Sequence, residues 1–155
     1  MDATNTSALH ARLKDMQDAW TRVAAGRIGP RREEITPALL RGALPWVWFV
    51  DVIDGGADFR FRLAGERVIE FMGRRYAGEL LSDHQDDPFF RGMHAMFVAC
   101  VRNRGPITAG PQRTLKKDRT YLEMEVLALP LSEDGETVTG LCGAIALRPL
   151  GKLAG

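Results

Sequence analysis

The sequence has few of the residues from which metal sites and disulfide frameworks are built. It holds two cysteines, Cys100 and Cys142, and three histidines among 155 residues. No Cys-x-x-Cys, His-x-His or His-Glu-x-x-His pattern occurs, so the usual ligand spacing of a zinc site is missing. We therefore expect no metal ion, and we expect both thiols to be small core residues.

An excess of one charge and long apolar runs are also missing. The 21 Lys and Arg residues nearly balance the 20 Asp and Glu residues, so no overall field favours nucleic acid or an anionic membrane. No apolar run approaches the roughly 18 residues that span a bilayer. The opening MDATNTSALH lacks the basic, apolar and small-residue succession of a signal peptide. We expect a cytoplasmic protein without a nucleic-acid or membrane partner.

Signatures of common catalytic and phosphate-binding sites are absent as well. The sequence has no Gly-x-Gly-x-x-Gly, P-loop or Gly-x-Ser-x-Gly motif. A single glycine, Gly65, marks the turn between a predicted strand and helix, and Glu66 places a negative charge where a phosphate would lie. Asp86 and Asp87 are adjacent, so their carboxylates diverge in an extended segment. We therefore expect a protein that is not an enzyme.

The first strong pattern that is present predicts a helix over residues 7–25. Its apolar positions are spaced by 4, 3, 4 and 3 residues, which is the seam of a coiled coil. A seam of this length cannot hold a coiled coil together by itself, and the helix must therefore pack against another apolar surface. That surface is either the core of its own domain or a second copy of the chain. The candidate dimer or partner surface consists of Leu9, Leu13, Met16, Trp20 and Val23.

The remaining patterns predict two strands, a helical middle and three further strands. Strands grouped at both ends favour an α+β fold, with a five-stranded antiparallel sheet that carries helices on one face. The first strand of each group is expected to lie centrally. The predicted strands are 46–53, 58–64, 107–116, 119–129 and 136–147, and the predicted helices after the first are 37–42, 66–73 and 90–103.

Four segments, in this order, resemble a PAS domain. They are ITPALLRGALPWVWFVDV, FRFRLAGERVIEFMGRRYAGELL, RGPI after a helix, and YLEMEVLALPLSEDGETVTGLCGAI. The chain is similar to a bacterial subfamily of short, nearly stand-alone PAS proteins. The resemblance implies an N-terminal helical cap and link over residues 1–34, a PAS domain over 35–149 and a tail over 150–155. It also implies a module that senses small molecules, light or redox state, or that docks proteins.

Some PAS domains bind a cofactor, and this sequence contains no recognisable cofactor-binding motif. The surroundings of Cys100 do not resemble the reactive-cysteine motif of flavin photosensors, and no Cys-x-x-Cys-His motif for haem attachment occurs. His94 is the one helix histidine that could face a haem, and we expect it to lie beside the apolar face. The cofactor, if there is one, stays unknown.

A cup between the sheet and the helices is predicted from the apolar positions that should face inward. Trp48 and Tyr76 could each offer a polar handle to a small apolar or amphipathic ligand. Arg74 and Arg75 either hold a carboxylate or phosphate at the rim or are solvated loop charges. The candidate lining residues are Trp48, Phe61, Leu63, Val68, Phe71, Met72, Tyr76, Met93, Phe97, Met124 and Cys142.

These patterns together predict a non-catalytic cytoplasmic sensor or regulatory module in signal transduction. Its ligand would lie in the cup, and its signal would leave through a homodimer or a signalling protein partner. The alternative is a protein-interaction adaptor with a filled core and no ligand. The fold alone does not decide between these two functions.

Overall fold

The fold is built on one antiparallel sheet of five strands in the order β2-β1-β5-β4-β3. The computed structural model describes residues 9–150, so the first eight residues and all of the predicted tail except Leu150 lie outside the described residues. The predicted α+β architecture is confirmed. The strands are β1 (Val47–Ile53), β2 (Asp58–Ala64), β3 (Ile107–Arg113), β4 (Leu122–Leu131) and β5 (Gly140–Pro149).

The last strand, β5, lies at the centre of the sheet. Its run from Gly140 to Ala146 is buried throughout, as expected for a strand that is covered on both faces. The prediction that the first strand of each group lies centrally is wrong for β3, which forms an edge. The strand β3 is the most exposed of the five, and its Pro111 cannot donate a ladder hydrogen bond, which suits an edge position.

The loops before β4 and β5 are longer than predicted because local hydrogen bonds close them into turns. Before β4, the N–H of Lys116 donates to the Thr114 hydroxyl at 2.7 Å. Before β5, the Asp134 carboxylate accepts the N–H groups of Glu136 and Thr137 at 2.9 and 2.8 Å. Such side-chain acceptors compete with strand pairing and favour turns.

Between residues 9 and 150 four α-helices accompany the sheet, and two of them begin at clear sequence signals. The Thr36 hydroxyl and the Asp87 carboxylate each accept a backbone N–H at a helix N-terminus, and each is followed by proline. The helices are α1 (Ala11–Ala24), α2 (Pro37–Leu40), α3 (Glu66–Met72) and α4 (Pro88–Asn103). None of the helices between residues 9 and 150 combines the length and the apolar character needed to cross a membrane.

Helices cover both faces of the sheet, and each face has its own apolar cluster. The helices α3 and α4 cover one face with the cluster that contains Trp48 and Val50. The helix α1 covers the opposite face with the cluster that contains Val47 and Phe49. Successive residues of β1 therefore supply the two clusters alternately, as the pleat of a strand requires. The helices that were predicted on one face of the sheet are α3 and α4. The opposite face is covered by α1, which belongs to the N-terminal extension.

The predicted seam of α1 is used inside the chain. Leu13, Met16 and Trp20 are 0%, 3% and 7% exposed against β4 and β5, and the Trp20 indole N–H donates to the Pro130 carbonyl at 2.8 Å. Leu9 and Val23, at the ends of the seam, are half-buried. The assignment of this seam to a dimer or partner surface is corrected accordingly, because its three central side chains already cover the chain's own core.

Candidate functional site

A cavity of about 240 Å³ lies between the sheet and the helices α3 and α4. Its wall combines aromatic rings with flexible methionines, a composition typical of small-molecule pockets. Four of the six methionines in the chain line it. The principal wall residues are Trp48, Val50, Phe61, Val68, Phe71, Met72, Tyr76, Phe89, Met93, Met96, Phe97, Met124, Val126 and Ile145.

The sheet side of the cavity depends on a glycine that makes room for an indole. Trp48 stacks on Phe97 of α4 with ring centroids 5.0 Å apart. Gly143 of β5 lies opposite Trp48 in the strand register. A Cβ atom at Gly143 would collide with the indole ring and with the carbonyl oxygen of Leu127. The absence of a side chain at this one position therefore lets Trp48 lie flat against the sheet.

The helix side of the cavity is formed by apolar residues at helical spacing. In α3 the buried residues are Val68, Phe71 and Met72, which share one face of the helix. Phe71 meets Phe89 of α4 with ring centroids 5.9 Å apart. Two short helices thus present a continuous apolar wall to the sheet.

The structure brings together ten of the eleven residues predicted to line the cup, all except Cys142. The prediction missed Phe89, because it began the helix at residue 90 although the capping pair Asp87-Pro88 marks its actual start. It also missed Ile145 in the middle of β5, Gln112 of β3, and Thr114, which directly follows β3. Only the register of the strands places those three residues, and the sequence gives no direct signal of register.

Leu63 borders the cavity but does not face into it as predicted. The register of β1 and β2 shifts by one residue, so that Val50 lies opposite Phe61 and Phe49 lies opposite Leu63. This bulge moves Leu63 to the face of the sheet that Phe49 occupies, where it is 50% exposed. Strict alternation of side chains predicted the inward position, and the bulge changes its phase.

Cys142 does not belong to the cavity, and this prediction is corrected. It lies opposite Phe49 and Leu129 in the register and is fully buried in the cluster under α1. The alternation of β5 instead directs Ile145 to the cavity. Burial raises the pKa of the Cys142 thiol, and burial also raises the pKa of Cys100 to about 12. Both thiols are therefore held protonated, which is unsuited to nucleophilic or redox chemistry.

One rim of the cavity is a hydrogen-bonded loop after α3. Arg74 donates to Glu79 at 2.7 Å and lies 3.8 Å over the ring of Tyr76. Glu79 is also 2.9 Å from His84, whose ring stacks on Phe90. The Arg74 and His84 hydrogen bonds lower the pKa of the Glu79 carboxyl. This network fixes the loop that carries Tyr76 into the cavity wall.

The histidines lie outside the cavity. His94 packs edge-on against Phe59 with centroids 5.7 Å apart, and neither it nor His84 is among the lining residues. Within residues 9–150 no group of three His, Cys, Asp or Glu side chains could hold a metal ion. The lining is mainly apolar with a few polar side chains such as Arg75, Gln112 and Thr114, and such a wall suits the binding of a small molecule.

Comparisons with known proteins agree with this architecture. A family model described as PAS domain, PAS_5, matches residues 8–146. The solved structure of the PAS domain from Bordetella pertussis BvgS is similar at a TM-score of 0.57 and 17% identity, over 79% of this chain and 91% of that one. No curated protein matches the sequence. PAS domains are generally non-catalytic, signal-sensing modules, and this chain belongs to the PAS domain family.

Proposed function

We propose that this PAS domain is a non-catalytic sensor that binds a small apolar or amphipathic molecule in the cavity between the sheet and α3 and α4. The observation that carries the proposal is the cavity itself, about 240 Å³ of space walled by aromatic rings and methionines. A cavity of about 150 Å³ in a protein core accommodates benzene, so this one has room for about ten non-hydrogen atoms. A protein-interaction adaptor would have no need of this space.

The signal would leave the domain through a protein partner or a change of dimer. Ligand binding can shift such an equilibrium only if the two states differ in affinity for the ligand. The sheet separates the cavity from α1 by one layer, and residues of β1 and β5 contact both sides. A ligand that moves Trp48 therefore acts on β1, which pairs with β5, and β5 is one of the two strands on which α1 packs. The cytoplasm is the compartment that we propose for this module.

The proposal is tested by closing the cavity from α4. Gly92 lies on the face of α4 that carries Phe89 and Met96, and a Cβ atom there would meet no other atom within 4 Å. We expect Gly92→Leu to fold and to displace about two methylene groups of a ligand, which costs about 1.6 kcal/mol or roughly tenfold in affinity. Titration calorimetry with octan-1-ol as the probe measures the loss.

The matched control places the same side chain elsewhere on the same helix. Ala95 is exposed on α4 and does not line the cavity, so Ala95→Leu should leave octan-1-ol affinity unchanged. Native mass spectrometry of the protein purified from its own host would complete the test by showing a bound small molecule. If octan-1-ol does not bind and no molecule co-purifies, the chain is better described as an adaptor. Sedimentation with and without the probe measures whether binding changes the oligomeric state.

A further inference from the structure

The charged residues that line the cavity are all basic. Four arginines and no aspartate or glutamate are among the residues that line it. The chain as a whole carries 21 basic and 20 acidic residues, so its overall composition does not explain this excess. All four arginines are exposed, whereas most of the apolar wall is buried. Such an arrangement is complementary to a ligand with an apolar body and an anionic head.

Three of the four arginines already have partners inside the chain. Arg62 is paired with Asp51 at 2.6 Å, and Arg74 is paired with Glu79 at 2.7 Å. Arg113 donates to the Thr120 carbonyl at 3.2 Å and lies opposite Glu123 in the register of β3 and β4. These contacts fix the three guanidinium groups in positions that serve the fold.

Arg75 is different, because no carboxylate between residues 9 and 150 pairs with it. Its backbone carbonyl accepts a hydrogen bond from Arg74 at 2.9 Å, which holds the main chain in place. Its exposed side chain stands at the cavity rim with its five N–H donors available. An arginine fork of this kind matches the two oxygens of a carboxylate.

A second donor lies deeper in the wall. Thr114 is 2% exposed and lines the cavity. Its hydroxyl oxygen accepts the N–H of Lys116 at 2.7 Å, and within the part of the chain that the structure describes, its own O–H donates to no acceptor. The hydroxyl is thus partnered as an acceptor, and its hydrogen can also donate to a polar group of a ligand in the cavity. Arg75 is therefore the unpaired charge at the rim, and Thr114 adds one polar group to the otherwise mainly apolar wall.

We propose that the ligand is a small amphipathic monocarboxylate, whose apolar body of about eight carbons lies in the cavity and whose carboxylate binds Arg75 at the rim. This inference rests on the proposed ligand-binding function. A single unpaired arginine matches one negative charge, whereas a phosphate group carries about two. The aromatic and methionine wall accepts an alkyl chain or an aromatic ring, so the body can come from a fatty acid or an aryl acid.

The test compares two carboxylates, one with an alkyl body and one with an aryl body, with the alcohol that matches the alkyl chain. Octanoate, phenylpropanoate and octan-1-ol are titrated against the full chain by calorimetry at low salt. We expect both carboxylates to bind more tightly than octan-1-ol. We expect Arg75→Gln to weaken both carboxylates by about three- to fivefold, the upper range for an exposed ion pair, and to leave octan-1-ol unchanged. Added salt should reduce the carboxylate affinities in the wild-type protein only.

The control is Arg102→Gln, which removes an exposed arginine of α4 that does not line the cavity. It should leave every affinity unchanged. If octan-1-ol binds as tightly as octanoate, or if Arg75→Gln weakens all three ligands equally, the carboxylate inference is overturned while the cavity proposal stands. If none of the three binds, the ligand-binding function itself is overturned. A preference for one carboxylate over the other distinguishes a fatty-acid body from an aryl body.

Discussion

Gly143 shows how one missing side chain determines the shape of the cavity. From Leu141 to Leu147 every residue of β5 other than Gly143 is apolar, and a glycine in a central strand costs stability unless another group needs the space. Here the indole of Trp48 and the carbonyl of Leu127 occupy the volume where a Cβ atom would lie. The glycine therefore belongs to the binding wall as much as Trp48 does.

We predict that Gly143→Ala destabilises the domain by roughly 1–3 kcal/mol or more, because Trp48 and the β4 backbone have to move. The free energy of unfolding from urea denaturation measures the effect. Gly92→Ala is the control, since a Cβ atom meets nothing there, and it should stabilise α4 by about 0.5–1 kcal/mol. Equal stabilities for the two variants would contradict the close contact at Gly143.

Glu125 is a buried carboxyl on the face opposite the cavity. It is 8% exposed, and it accepts the backbone N–H of His10 at 3.2 Å. Burial raises the pKa of the Glu125 carboxyl, and the hydrogen bond from His10 opposes this only in part. Since the folded chain then holds this proton more tightly than the unfolded chain, stability falls as the pH rises through the pKa of the folded carboxyl.

We predict that Glu125→Gln removes the loss of stability at rising pH, because the amide oxygen still accepts the N–H of His10 and carries no charge. The difference in free energy of unfolding, variant minus wild type, should grow in favour of the variant from acidic to neutral pH. Carboxyls with a lowered pKa, such as Asp58 and Asp134, act in the opposite direction, so the comparison requires both proteins at each pH. A difference that does not change with pH would show that Glu125 is not responsible.

Among the elements, α1 is the one whose role the structure changes most. Its seam packs on β4 and β5 and closes the second apolar cluster. Its outward face carries polar residues such as the ion pair of Lys14 and Asp18. Removing α1 would expose the sheet, so the helix is part of the folded unit.

We predict that Leu13→Ala costs about 2–5 kcal/mol, the usual range for a fully buried leucine. Val23→Ala at the half-buried end of the seam should cost less than half of that. The double change Leu13→Asp and Trp20→Asp should unfold the domain, because both positions are buried in the monomer. Circular dichroism melting measures these effects, and a folded double variant would mean that α1 is dispensable.

The sequence predicted the elements of this fold better than their arrangement. Apolar spacing identified α1, α4 and the five strands, because burial imposes a period on each element. Strand order depends on which edges meet, and no local pattern encoded the central place of β5. For the cavity, nine of the eleven predicted residues line it as expected, whereas Leu63 only borders it and Cys142 lies outside it. A bulge in the pairing of β1 and β2 changes the face on which Leu63 lies, and the register of β5 places Cys142 on the face away from the cavity. Both positions depend on how the strands pair, which no local pattern shows.

For the whole molecule, ligand binding and unfolding are linked equilibria, because the ligand binds only the folded state. A ligand at about a hundred times its dissociation constant stabilises the folded state by about 2.7 kcal/mol. For a chain of 155 residues, each kcal/mol raises Tm by about 2–4 °C.

We therefore predict that octan-1-ol at this excess raises Tm by roughly 5–10 °C. Differential scanning calorimetry measures the shift. Gly92→Leu at the same probe concentration should show about half of this shift, because a tenfold weaker affinity leaves about 1.4 kcal/mol of stabilisation, and Ala95→Leu should show the full shift. A Tm that does not respond to the probe in the wild-type protein would argue against an accessible cavity.

The concentration of methionines around the cavity has a chemical consequence. Four thioethers, from Met72, Met93, Met96 and Met124, line one small space. Oxidation of a thioether gives a polar sulfoxide. Peroxide would therefore make the cavity wall hydrophilic and weaken the binding of an apolar molecule. A bound molecule would in turn shield the four sulfur atoms from oxidation by peroxide. The pattern of sulfoxides along the chain would thus record whether the cavity was occupied when the oxidant arrived.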